Sequence, residues 1–110
     1  MDNESVLENM VQELRRGVIV LAVLSLLQEE QYGYSILKRL SDECLEVDQG
    51  TLYPLLRRLE TQGLLESKWQ LEEARPRRYY VLSAEGRSML PRLASEWEKI
   101  TSQMNVILAK

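Results

Sequence analysis

Gln49, Thr51, Tyr53, Arg57 and Arg58 fall within one short stretch and carry an amide, a hydroxyl, a phenol and two guanidinium groups. Presented on one helix face, such groups bond to base edges and hold phosphates, which is the chemistry of a helix in the major groove of DNA. A second basic cluster, Lys68, Arg75, Arg77 and Arg78, lies further along beside Tyr79 and Tyr80, and a basic ribbon of that kind grips the phosphate backbone. The plainer alternatives are a solvated helix face and an edge strand protected from aggregation by charge. Catalytic chemistry finds little support. Histidine is absent, Cys44 is the only cysteine, and no glycine-rich loop is present to cradle a phosphate. An intrachain disulfide is impossible, and a zinc site lacks its usual ligands. We therefore expect no catalytic residue, no metal and no cofactor. Cys44, with no basic neighbour nearer than Arg39, reads as a semi-buried small apolar residue rather than a redox sensor.

The first cluster needs a helix to hold it. Leu52, Leu55, Leu56 and Leu59 recur at helical spacing and form a buried stripe that leaves Gln49, Thr51, Tyr53, Arg57 and Arg58 mostly off the core. Asp48 or Thr51 caps the start, and Gly63 ends the helix with Leu64 packing back beneath it. Pro54 lacks an amide hydrogen and suits only an opening turn, so its cost depends on which cap is used. Upstream, Tyr32 opens a second helix with Ile36, Leu37 and Leu40 inward, ending near Asp42 to Leu45. The short link Glu46–Asp48 makes the two helices a tandem pair with helix-turn-helix spacing.

The flanking elements complete the support. From Glu4 to Gln28, Leu7, Met10, Leu14, Leu21 and Leu24 predict a long first helix. It is amphipathic before Gly17 and apolar nearly all round from Val18, so its first half should project as an arm that meets a partner. Leu65–Gln70 and Arg77–Leu82 alternate as strands, and with Leu71–Pro76 between them they predict a hairpin behind the helix pair, a wing. In that reading Leu65, Ser67 and Trp69 share one face. Ser83 caps a last helix running towards Ala109. Leu90, Leu93, Trp97, Ile100, Met104 and Ile107 are spaced 3, 4, 3, 4, 3 along it, a heptad seam better suited to a second subunit than to a single small core. Pro91 should bend the axis.

The fold class is thus mainly α with a small β-hairpin. Residues 1–82 are expected to form a winged helix-turn-helix with an N-terminal arm, and 83–110 a C-terminal dimerisation helix. A chain of 110 residues with 45% hydrophobic content supports one domain of this size. The net charge of −3 argues against coating nucleic acid nonspecifically, yet residues 51–80 carry a net +2 where residues 1–30 carry −4. The run Val18–Leu27 is about half of the roughly 20 residues that span a bilayer, and no cleavable leader is visible, so a cytoplasmic protein is expected.

Three motifs within residues 32–87 resemble the PadR-like transcriptional regulators of bacteria, in particular the short branch with one C-terminal helix. They are Tyr32-Gly33-Tyr34 with Ile36, then Gly50-Thr51-Leu52-Tyr53-Pro54-Leu55-Leu56-Arg57-Arg58-Leu59-Glu60 with Gly63-Leu64, then Arg78-Tyr79-Tyr80-Val81-Leu82-Ser83 with Gly86-Arg87. The resemblance implies a homodimeric repressor on a two-fold operator of double-stranded DNA, with the third helix in successive major grooves and the wings alongside. Its DNA-facing set is Tyr32, Tyr34, Ser35, Lys38, Gln49, Gly50, Thr51, Tyr53, Pro54, Arg57, Arg58, Lys68, Arg75, Arg77 and Arg78. The dimer is expected to form through Leu7, Met10 and Leu14 of the first helix and Leu93, Trp97, Ile100, Met104 and Ile107 of the last. In one branch a tryptophan of the last helix faces its twin and binds flat aromatic compounds, and Trp97 falls at the similar place. That makes a small planar aromatic effector a partner to test, although Pro91 departs from the pattern and the absence of histidine excludes an effector site built on it. The alternative from another class is a winged-helix module that meets an acidic protein surface instead of DNA.

Overall fold

The computed structural model describes residues 2–110. Its elements are α1 (Asn3–Leu26), β1 (Gln31–Tyr32), α2 (Gly33–Asp42), α3 (Gln49–Thr61), β2 (Leu65–Glu72), β3 (Arg75–Leu82) and α4 (Ala84–Leu108). Asp2, Asp48 and Ser83 cap α1, α3 and α4, each accepting a bond from the backbone N–H three residues on. Asp48 is therefore the cap of α3, its Oδ1 2.7 Å from the Thr51 nitrogen. Pro54 then lies inside the helix, which continues through it. The missing amide leaves the Gly50 carbonyl without its usual donor.

Both helices of the tandem pair end in the same way. Gly63, at φ 85°, donates to Glu60 O while Leu64 donates to Leu59 O; Cys44, at φ 61°, donates to Ser41 O while Leu45 donates to Leu40 O. This is the Schellman arrangement, which satisfies the last carbonyls through one left-handed residue. Glycine makes that residue legible at 63, whereas a cysteine in the role at 44 gives no signal. Cys44 is exposed, not semi-buried as its size suggested, because the left-handed turn carries it outward.

The core gathers Val23, Leu24 and Leu27 at the end of α1, Ile36 and Leu40 of α2, the stripe Leu52, Leu55, Leu56 and Leu59 of α3, and Leu65, Tyr80 and Leu82 of the sheet. Each such leucine contributes about 1.5–3 kcal/mol by leaving water. Leu90 and Leu93 of α4 pack on the same core, so Leu93, assigned to the dimer seam by its spacing, is half-buried in its own chain.

The sheet has three strands in the order β1-β3-β2, all antiparallel. β1 corrects the sequence reading: Tyr32 does not open the second helix but pairs with Tyr79, and it serves as the N-cap of α2. Two residues are too few for any periodicity to announce a strand. The wing strands are also longer than expected. They pair from Leu65↔Leu82 to Glu72↔Arg75, so the turn is only Glu73-Ala74, at φ 49° and 63°. Positive φ at both residues marks a type I′ turn, whose twist matches that of the strands, but the Asn-Gly signature of such turns is missing here. Pro76 is accommodated because the pair next to the one flanking the turn exchanges no hydrogen bonds. Its nitrogen faces the edge that β1, opposite Tyr79 and Tyr80 only, does not reach.

The radius of gyration is 16.1 Å, against about 13 Å for a compact domain of this length. The excess comes from the two long helices. Residues 3–14 of α1 are exposed throughout, as is nearly all of α4 beyond Leu93. Among the described residues no helix is long and apolar enough to cross a membrane.

Candidate nucleic-acid interface

Helix α3 presents four faces. Leu52, Leu55, Leu56 and Leu59 enter the core. Gln49, Tyr53 and Arg57, spaced by four, turn towards the wing. Gly50, Pro54 and Arg58 form an exposed outer face, and Thr51 turns towards α1, lining a groove with Arg15, Arg16 and Asp48. Between α3 and the wing lies an open cleft of about 710 Å³. Tyr32, Tyr34, Gln49, Tyr53, Arg57, Arg75, Arg77 and Arg78 line it, which brings these predicted residues together. Gly33, Trp69 and Tyr80 line it as well, and the sequence reading had not placed them there. The rest of the predicted set stays outside. Lys38 is exposed on α2 above a shallow depression shared with Tyr34 and Ser41. Ser35 is turned inward, donating to Tyr32 O at 2.8 Å and lying 3.3 Å from Gln31 Oε1. Lys68 pairs with Glu30 at 3.0 Å.

Tyr53 is not free on the surface, as the stripe of leucines suggested, but half-buried against Gly33. A Cβ at position 33 would come 2.2 Å from the Tyr53 ring. The glycine of the Tyr32-Gly33-Tyr34 motif thus seats Tyr53 by leaving room for its ring. Trp69 shares a face with Leu65 and Ser67 as alternation predicts, yet is 65% exposed because it lines the open cleft rather than the packed core.

The arginines differ in their freedom. Arg77 and Arg78 are neighbours on β3 and so leave it on opposite faces. Arg77 pairs with Glu72 at 3.3 Å and stacks over the Tyr32 ring at 4.6 Å, while Arg78 reaches Glu60 at 2.9 Å. Arg57, Arg58 and Arg75 enter no ion pair among the described residues, and both Arg57 and Arg75 line the cleft. The hydrogen bond that Tyr79 donates to Glu72 holds its phenol above the usual tyrosine range, and burial pushes Tyr80 the same way. Both phenols are therefore neutral donors at pH 7. Among the described residues no group of three or more potential metal ligands gathers.

Two tandem helices, a hairpin wing behind the second and an arginine-lined cleft between helix and wing define a winged-helix DNA-binding regulator. The chain belongs to the transcriptional regulator PadR-like family, whose model matches residues 20–92. A PadR family transcriptional regulator from Eggerthella lenta is 41% identical, with 96% of this chain and 94% of that one aligned at a TM-score of 0.89. A transcriptional regulator from Clostridium thermocellum is 33% identical over 84% of this chain and 95% of that one, with a TM-score of 0.77. Transcriptional regulator Rv3488 of Mycobacterium tuberculosis is 36% identical over 81 residues, 73% of this chain and 76% of that protein. The family is one of regulators rather than enzymes.

Proposed function

We propose that the chain is a homodimeric repressor that binds an inverted-repeat operator, with α3 of each subunit in successive major grooves and the wings on the flanking backbone. The observation that carries the reading is the cleft itself. Gln49, Tyr53 and Arg57 of α3 and Arg75 and Arg77 of β3 all line it, which gathers candidate base-reading groups and phosphate-holding groups around one opening. Thr51, Arg58, Gly50 and Pro54 extend the α3 side, and Tyr34, Lys38 and Lys68 extend the backbone side.

The dimer reading is supported by two unpartnered apolar stripes. Leu7, Met10 and Leu14 of α1 are 56%, 57% and 77% exposed, and Trp97, Ile100, Met104 and Ile107 of α4 are 41–60% exposed. A small monomer seldom leaves surface of that kind open. Two copies joined there would address half-sites about 34 Å apart, one helical turn. Trp97, flanked by Glu96 and Glu98, would then meet its twin and offer two flat indole faces to a planar aromatic effector.

A footprint of the purified chain on DNA upstream of its own coding sequence tests the reading. An inverted repeat protected at nanomolar protein, with affinity falling steeply as salt rises, supports it. Salt-insensitive binding, or capture only by an acidic protein surface, refutes it.

A further inference from the structure

We propose that Glu60 and Arg78 are positioning residues that lock the pitch of the wing against the recognition helix, and that Arg78 makes no phosphate contact of its own. The proposal rests on the DNA-binding reading above and deepens it. Three polar groups from three elements close on one another. Arg78 Nη2 donates to Glu60 Oε1 at 2.9 Å, Arg78 Nε donates to Ser67 Oγ at 3.0 Å, and Ser67 Oγ donates to Glu60 Oε2 at 2.6 Å. The ring ties the last turns of α3 to both wing strands. The guanidinium also lies 5.5 Å from the Tyr80 ring centroid and 5.8 Å from that of Trp69, so two aromatic rings hold the charge in addition to its hydrogen bonds.

No other ion pair among the described residues does this. Arg77–Glu72 joins β3 to β2 near the wing tip, and Lys68–Glu30 joins β2 to the segment before β1; neither touches α3. Charge-assisted bonds on a planar guanidinium fix direction as well as distance, which suits a brace more than a freely moving phosphate ligand.

The lever arm explains why a brace matters. The root of the wing is held by Ser83, whose Oγ donates to Gly63 O at 2.6 Å and whose N–H donates to Leu64 O at 3.0 Å. Gly86 lets α4 approach this joint, since a Cβ there would lie 2.2 Å from Leu64 O. Arg78, paired with Trp69, stands four residues out from the Leu65↔Leu82 root pair, or about 13 Å at 3.3 Å per residue. The tip is about as far again. A swing of about 10° at the root would carry the tip roughly 4–5 Å, more than the ~3.4 Å of axis between phosphates on one strand. A wing held only at its root would therefore lose register with the helix; one braced halfway along keeps it.

The test compares the full chain with Arg78→Ala, Glu60→Ala and Arg77→Ala, on the footprinted duplex and on a scrambled duplex of the same composition, across a salt series. Arg78→Ala should keep the wild-type salt slope on both duplexes and lower the ratio of specific to scrambled affinity about tenfold, the size of one lost base contact. Glu60→Ala should lower the ratio similarly and steepen the slope by about one, because the released guanidinium becomes available to a phosphate. Arg77→Ala should flatten the slope by about 0.9. A flattening of that size in Arg78→Ala makes Arg78 a phosphate ligand and overturns the proposal, as does an unchanged affinity ratio in both brace variants. If Arg78→Ala fails to fold, Arg78→Gln, which removes the charge with less loss of packing, carries the same comparison. Wild-type protein with no salt-dependent affinity for either duplex has a different signature, and refutes the DNA reading itself.

Discussion

Gly33→Ala should change sign with the residue at position 53. Gly33 is the first residue of α2 and its φ is not positive, so alanine is compatible with its backbone. Taken alone, that exchange stabilises by about 0.4–1 kcal/mol through a less flexible unfolded chain. The new Cβ, however, would stand 2.2 Å from the Tyr53 ring, where ordinary contact begins near 3.4 Å, so the ring must retreat by about 1.2 Å. Overpacking of this kind costs about 1–3 kcal/mol. The lower part of that range applies, because the obstacle is the end of one half-buried side chain with open cleft beyond it. Urea unfolding at fixed protein concentration should find Gly33→Ala destabilised by about 1 kcal/mol in the wild-type background and stabilised by about 0.5 kcal/mol in the Tyr53→Ala background. Operator affinity should fall further than stability does, because the displaced ring is one of the groups proposed to read the operator. A Gly33→Ala effect of the same sign and size in both backgrounds would refute the reasoning, since the clash would then not lie with Tyr53.

Replacing Glu73-Ala74 with Asn-Gly should raise stability by about 1 kcal/mol, since both residues now hold positive φ without the types that favour it; a melting temperature that falls shows that the turn is not type I′. Ile100→Glu with Met104→Glu should give a monomer in light scattering that fails on a two-fold site, and a persisting dimer assigns the α4 stripe another role. Arg75→Ala with Arg77→Ala should weaken binding to all DNA and flatten the salt slope, whereas Tyr53→Ala should cost more on the operator than on random DNA. Equal losses on both DNAs for Tyr53→Ala would remove it from the reading surface. A planar cationic dye should quench tryptophan fluorescence in the wild type and in Trp69→Phe but not in Trp97→Phe, while loosening the operator complex. Quenching that survives Trp97→Phe puts the dye elsewhere.

The elements themselves were legible along the chain. Leucines at helical spacing, Gly63 after the last of them and Ser83 before an apolar seam announce α3 and α4 through local periodicity and capping, which act within a few residues and leave a mark at each position. The two basic clusters were visible for the same reason, as charges close together in sequence. β1 was not, because two residues acquire strand geometry only from partners far along the chain, Tyr32 from Tyr79 and Gln31 from Tyr80. Spacing also assigned Leu93 to a second subunit, although the start of α4 is pinned at Gly86 against Leu64 and so packs on its own core.

What only the tertiary structure decided is how free each charged or aromatic side chain is. The sequence counts Arg75, Arg77 and Arg78 alike, but folding leaves Arg75 without an ion pair among the described residues, turns Arg77 onto Tyr32 and draws Arg78 to a carboxylate on α3. Gly33 is only one member of a motif in the sequence, and its role is decided when Tyr53 is laid across it. Such pairings depend on which distant residues come within about 3 Å, and that distance is set by the packing of whole elements rather than by any pattern along the chain.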